Sequence, residues 1–432
     1  MVVELVLLYK KALLHTSLSL IVGLSLGFLK IPLLFLNALQ TYIHPDSQAQ
    51  SSGLRAAIRR PGLDPLSSAE LKKRNKSKLD FDENNAQIFR ITLDHSHLLS
   101  RLFVHHYSLA FTLSFAALFS LFLHTFLQSP HHTSFFSLPL LLSILTLYIW
   151  AWLLAKLTFE RSASTSSQKQ FSFLFCLFGL FLGLFFLPDG LPFLFDFPFR
   201  APIHGFWRLF VALWMGCLAG VLFIPASRSA RCFWIGTDQI RCNLSMITCS
   251  WFPRSILYAN QLFVLFVAFL WITPLADIFV NNMANTEHAD VVFLPSDFHC
   301  FRKWCLLVSS LLQILALRPN MQMYLNEALL SWYQRLHASK VPDLDYSRAK
   351  MFLHNHYLCL VVLQFLAPPV LVLLFLGLSQ IHGVSFGNFT LLPSFALFNE
   401  LALFFAWWVT FLWALFSSVI LLLHRHCVLY VS

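Results

Sequence analysis

Long apolar runs separated by short polar interruptions dominate the chain, and their lengths carry structural meaning. A bilayer core about 30 Å thick takes about 20 helical residues at about 1.5 Å each. Nine runs approach or exceed that length: 12–36, 102–127, 134–155, 171–187, 204–225, 256–280, 304–317, 352–378 and 396–423. Lys30 interrupts the first run, and the seventh is short. Between the first two lies the one long polar stretch, 41–101. The pattern predicts an all-α polytopic membrane bundle of about nine spanning helices. A signal-anchor-like helix falls in 1–40, a polar basic segment in 41–101 and the transmembrane bundle in 102–432. Lys10-Lys11 ahead of the first run resembles a signal-peptide start, and cleavage would reduce the count to eight. No good small-x-small site follows near Ala38, so an uncleaved helix is expected.

Composition sharpens this picture. Of 432 residues 57% are hydrophobic and 12% charged, with 47 Phe and a mean hydropathy of +0.67. No soluble core needs so much apolar side chain. The nine cysteines show no C-x-x-C and no zinc spacing, so neither a disulfide framework nor a metal site is expected. The net charge of +10 is read as an orientation signal in loops and not as a nucleic-acid surface. With 41–101 on the cytoplasmic side, 24 of the 30 Lys and Arg fall on that side and six on the other. This places the N-terminus outside or in a lumen and the C-terminus in the cytoplasm, in the plasma membrane or an endomembrane. Asn388-Phe389-Thr390 is then a candidate N-glycosylation acceptor on the outer side, whereas Asn75 and Asn243 start similar triplets on the inner side. Trp150, Trp152, Trp207, Trp251 and Trp304 fall near helix ends, as an aromatic belt requires.

Polar side chains inside apolar runs are the default places to look for function. His124, Asn260, Gln261, Gln313, His354, His356, Gln364 and Glu400 qualify by position, and for most a structural role near a helix end suffices. Gln364 is the deepest, and Pro368 and Pro369 follow one turn later. A proline donates no backbone hydrogen bond, so the carbonyls of residues 364 and 365 lose their helical partners beside the Gln364 amide. A neighbouring helix, a water or a cation has to meet this polar level, and Ser309, Ser310, Ser417 and Ser418 are the candidate donors.

The stretch after the seventh run, about 319–337, reads as an amphipathic helix lying in the inner interface. Pro319 suits its first turn, and Met321, Leu325, Ala328, Leu329, Trp332 and Leu336 recur at helical spacing. Arg318 sits at the junction, in reach of lipid phosphate or Gln322. The basic run Lys72–Lys78 is read as a solvated linker, because Asp80, Asp82 and Glu83 follow it. No H-E-x-x-H, G-x-S-x-G, P-loop or G-x-G-x-x-G occurs, and Asp94-His95-Ser96-His97 stands alone, so neither an enzyme nor a cofactor is expected. His424 and His354 would lead only if a membrane-embedded transferase were at work.

The carboxyl-terminal half resembles the transmembrane protein 161 family. The blocks that carry the resemblance are Tyr357-Leu358-Cys359, Leu363-Gln364 and Ala367-Pro368; Arg318 and Gln322 with Tyr324-Leu325-Asn326; Leu270-Trp271 with Pro274; and Trp407-Trp408 followed by His424. The amino half contributes only Tyr42-x-His44-Pro45. The resemblance implies a multi-pass membrane protein of no established enzymatic activity, associated with regulation of ion currents in excitable cells, cardiac rhythm and ciliary signalling. Its partners would be the bilayer and ion channels or other membrane proteins. The loop between the last two helices is much shorter than in the better-known members, and the first third fits poorly. The competing expectation is a transporter or channel with a polar path at Gln364, Gln313 and Glu400.

Overall fold

The computed structural model describes residues 2–43, 55–56, 89–127, 138–160, 165–189, 197, 205–237, 251–276, 295–338, 344–381 and 395–429. The basic run 72–78, His44, Pro45, Asn75, Asn243 and Asn388 lie outside them. Among the described residues seven helices are long and apolar enough to span a membrane. They lie within α4 (Val104–Leu127), α5 (Leu138–Phe159), α6 (Ser166–Asp189), α7 (Phe206–Thr237), α8 (Trp251–Phe269), α12 (Leu358–Ser379) and α13 (Phe395–Arg425). An eighth span is made if α9 (Pro295–Leu315) and α10 (Leu317–Ala338) are taken together, bent by 41°. The all-α polytopic bundle is therefore present, with seven or eight such helices among the described residues against the nine expected of the whole chain.

The first run is divided. Helix α1 (Val2–Phe28) stops before Lys30, which takes a left-handed conformation (φ 50), and a short α2 (Ile31–Leu36) restarts the chain. Helix α1 has 27 residues, enough to cross a bilayer core of about 30 Å, and only Leu13–Phe28 of it enters the count above. The Tyr107 hydroxyl donates to the Pro32 carbonyl at 2.9 Å and ties α2 to α4.

Helix α12 is apolar on every side apart from Gln364, and a helix of that kind belongs inside a bundle. Its most hydrophobic window is fully buried, and α4, α5, α7, α9, α10, α11 (Leu344–His356) and α13 surround it. Pro368 and Pro369 are buried within the helix, and it runs through them to Ser379. Pro225 likewise fails to end α7, which continues to Thr237 and carries Arg228 and Arg231 inside the helix, not in the loop the charge count gave them. Arg302 also leaves its expected loop: it is buried on α9, with its guanidinium 4.2 Å from the Phe298 ring centre and 5.0 Å from that of Trp271. The 41° bend has a local cause. Pro319 cannot donate to the Leu315 carbonyl, and its ring crowds that carbonyl.

The stretch read as an interfacial amphipathic helix forms a helix, α10, but does not lie on a surface. From Met321 to Trp332 every residue is buried except Gln322, which is half-buried. The extra cover comes partly from elements the apolar pattern did not show. Strands β1 (Gln40–Ile43), β2 (Arg55–Ala56) and β3 (Phe89–Thr92) form an antiparallel sheet in the order β1-β3-β2, and β1 packs on α10 and α11. The pairing Ile43↔Phe89 brings the two ends of the polar segment together on the bundle. Trp150 is not part of a belt: it is fully buried, and its indole N–H donates to Ser114 Oγ at 2.7 Å. Trp251, Trp304 and Trp152 are exposed, as belt residues should be.

Helices α6 and α7 approach closely because small residues face one another. Gly179 and Gly183 on α6 meet Ala212, Gly216 and Ala219 on α7, and Gly220 meets Cys176 and Ser172. Lipid tails are as apolar as these helices, so van der Waals contact and close backbone approach hold the pair together, not escape from water. A Cβ on Gly216 would lie 2.6 Å from the Cys176 carbonyl oxygen, whereas one on Gly27 would meet nothing within 4 Å. Gly216→Leu is therefore expected to cost about 1–3 kcal/mol, read as a lower unfolding temperature of the purified protein in detergent, with Gly27→Ala close to wild type.

Candidate functional site

Several of the polar residues singled out in the sequence converge where α10 crosses between β1 and α7. Arg318, Gln322 and Asn326 recur every fourth residue and so share one face of α10, the face turned to β1. Gln322 Oε1 accepts from the Gln40 N–H at 2.9 Å, and Gln322 Nε2 donates to the Gln40 carbonyl at 3.1 Å and to Asn326 Oδ1 at 3.0 Å. The Tyr42 hydroxyl donates to Asn326 Oδ1 at 3.3 Å. Burial raises the Tyr42 phenol above its usual range, against a smaller opposite effect of Arg90, which keeps it a neutral donor. Arg318 Nη2 donates to the Asn37 carbonyl at 2.9 Å, neither to Gln322 nor outward to lipid. From α11, Asn355 Nδ2 donates to the Tyr42 carbonyl at 3.0 Å, while Asn355 Oδ1 accepts from the Thr41 hydroxyl.

Tyr324 and Glu327, one turn apart, look the other way. Arg231 Nη1 lies 3.2 Å from Glu327 Oε1, with side-chain exposures of 35% and 5%. His354 Nε2 faces Glu327 Oε2 at 3.9 Å, and its Nδ1 lies 2.9 Å from the Lys350 carbonyl. The Tyr324 ring stacks on His354 with centroids 4.8 Å apart. Three residues before Arg231 on α7, and hence on the same face, Arg228 Nη1 donates to Gln364 Oε1 at 2.6 Å.

The Gln364 amide oxygen is thus met by a guanidinium from a neighbouring helix, and not by one of the serines proposed for its level. Ser417 and Ser418 instead accept from Gln261 Nε2, at 3.0 and 3.4 Å, and Ser310 bonds within its own helix. A hydrogen bond from a cation to an amide oxygen in a poorly hydrated site is stronger than a neutral one. The two faces of α10 thus form a continuous polar junction from the strand, through α10, to the centre of the bundle.

Residues 198–390 match the family described as predicted transmembrane protein 161AB. This match supports the resemblance to the transmembrane protein 161 family over that stretch of the chain. No solved structure matches it. The stretch that matches the transmembrane protein 161 family contains Arg228, Arg231, Gln322, Tyr324, Asn326, Glu327, His354, Asn355 and Gln364, so the helical side of the junction lies wholly within it. Strand β1 lies outside it, as do Glu400, Trp407, Trp408 and His424.

Those last four residues are not drawn to the junction. Trp407 and Trp408, about 100° apart around α13, send their indole N–H groups to two different helices: to the Ala268 carbonyl on α8 at 3.1 Å and to the Met215 carbonyl on α7 at 3.3 Å. Ala268 sits in the last turn of α8, whose carbonyls have no helical partner, so Trp407 caps it. The His424 ring stacks on Trp234 at 6.0 Å, and its Nδ1 lies 3.1 Å from the Leu429 carbonyl, which holds the chain end against α7. Glu400 lies next to Asn399, whose amide donates to the Ile381 carbonyl, roughly 25 Å along α12 from Gln364. Glu400 therefore lies far from the level of Gln364. Among the described residues no group of three His, Cys, Asp or Glu side chains is placed to hold a metal ion.

Three junction residues escaped the sequence reading: Asn355 was not singled out, and Arg228 and Arg231 were assigned to a loop because Pro225 was read as the end of the helix. The three-residue spacing of the two arginines, which puts both guanidinium groups on one helical face, was the available signal. Gln364→Leu removes the acceptor of a charged donor and is expected to cost about 1.5–3 kcal/mol, whereas Gln364→Glu keeps an acceptor and supplies a countercharge. In detergent melting of the purified protein, the leucine variant should unfold at a clearly lower temperature and the glutamate variant near wild type.

Proposed function

We propose that this chain is a non-enzymatic multi-pass membrane protein that regulates ion currents or membrane transport through contacts with other membrane proteins, and that it carries no substrate itself. One observation carries the reading: Gln364, a buried polar side chain of the central helix, has its amide oxygen occupied by Arg228 at 2.6 Å. A carrier keeps polar groups facing a water-accessible cavity near the midplane of the membrane. The junction meets its polar groups with one another instead, and it ties the central helix to a sheet that gathers the ends of the long polar segment. A regulator needs such a rigid link between a membrane-embedded face and a segment outside the bilayer.

Purified protein reconstituted into liposomes should pass no ions above the empty-vesicle rate, and Gln364→Leu should not change that. A flux present in the wild type and lost in Gln364→Leu would overturn the proposal in favour of a transporter or channel. The orientation that goes with this reading has a cytoplasmic polar segment and a cytoplasmic C-terminus. An epitope tag at Asn75 should accordingly stay unreachable to antibody on intact cells, and one at Asn388 should be reachable if the protein is at the cell surface. An exposed Asn75 would reverse the orientation.

A further inference from the structure

Close contact between α6 and α7 leaves room on their other side. Between that pair and α5 lies a cavity of about 510 Å³, floored by Leu371 and Phe375 of α12. This is within the range of about 300–1,000 Å³ typical of small-molecule sites. Along α5 it runs from Leu147 to Phe159, roughly 18 Å at the rise of an α-helix. Phe159, Phe173, Leu213 and Cys217 line it and are themselves exposed, so it opens on the outer surface of the bundle, the surface a bilayer would cover. Its hydroxyls are already committed: Thr158 donates to the Ala155 carbonyl and Ser172 to the Gly220 carbonyl. The wall is therefore apolar, with one charged exception.

That exception is Lys169, in the first turn of α6 at one end of the cavity. Its ammonium donates to the Glu160 carbonyl at 2.9 Å, at the end of α5, and an ammonium carries three donors. At the same end of α5, Lys156 stands over the Phe103 and Trp152 rings, 3.1 Å from His106 Nε2. A long apolar slot open to lipid, with positive charge at one end only, is complementary to an amphiphile with an anionic head.

We propose that this cavity binds one anionic phospholipid of the surrounding bilayer, with an acyl chain between α5, α6 and α7 and the phosphate at Lys169.

Native mass spectrometry of the purified full chain, titrated with phosphatidylserine and with phosphatidylcholine of the same chains, tests this. The wild type should retain phosphatidylserine preferentially, Lys169→Gln should reduce that preference about fivefold, and Lys10→Gln should leave it unchanged. Phosphatidylserine should also slow maleimide labelling of Cys217, followed by peptide mapping, in the wild type but not in Lys169→Gln. Ala151→Trp, which fills the slot, should abolish retention; should that variant not fold, Lys169→Gln decides the matter. Equal retention of the two lipids, an unchanged preference in Lys169→Gln or unprotected Cys217 would show lipid at the general bundle surface only and overturn the proposal. Oleate protecting Cys217 better than phosphatidylserine at equal concentration would assign the slot to a free fatty acid and overturn it as well.

Discussion

A guanidinium enclosed by apolar helices must find its acceptors in protein, because hydrocarbon offers none and an unmet polar group there costs several kcal/mol. Arg228 is one residue held under this constraint. Its contact with Gln364 fixes α7 against α12 at one level and in one rotation, since a side-chain amide presents its oxygen in a single direction. Three residues on, Arg231 repeats the demand and brings in Glu327 of α10, which in turn faces His354 of α11. Apolar contact alone would let these helices slide and turn with little penalty, whereas the chain of polar contacts sets their register.

Where no charge is involved, the bundle uses shape. Glycine against alanine and glycine lets α6 and α7 touch backbone to backbone, and two adjacent tryptophans join α13 to two partners at once. These devices lie in different regions: charge at the junction of α7, α10 and α12, small residues at the periphery, and indole N–H groups between α13 and its neighbours. Helix α6, least covered among the spanning helices, is the one whose hold rests most on close approach.

Most spans were legible because a bilayer demands a long uninterrupted apolar run, and α4, α5, α6, α12 and α13 answer that demand within about six residues, while α8 ends eleven residues before its run does. What escaped the apolar pattern was set by tertiary contact. The sheet is one such case, since β1 and β3 are four-residue strands separated by 45 residues of sequence. The surroundings of α10 are another: its repeat at 318, 322 and 326 was visible, but nothing local says that a strand, and not lipid or water, covers that face. Pro225 and Pro319 show why a single rule misleads. Proline removes the same hydrogen bond in each case, yet α7 runs through it while the chain bends near Pro319, and packing decides which response is the cheaper.

The clasp of Gln322 on Gln40 spans 282 residues of sequence. Translation at about 5–20 residues per second therefore leaves the strand waiting on the order of tens of seconds between its own emergence and the arrival of the side chain that secures it. Asn355, which holds the next two residues of the strand, comes later still. During that interval the bonding groups of β1 on that side have only water or another chain to meet, and an open strand edge is a template for mispairing. The amino-terminal strand is thus completed by the carboxyl-terminal half of the protein, and a truncated product would expose an edge that the finished molecule covers.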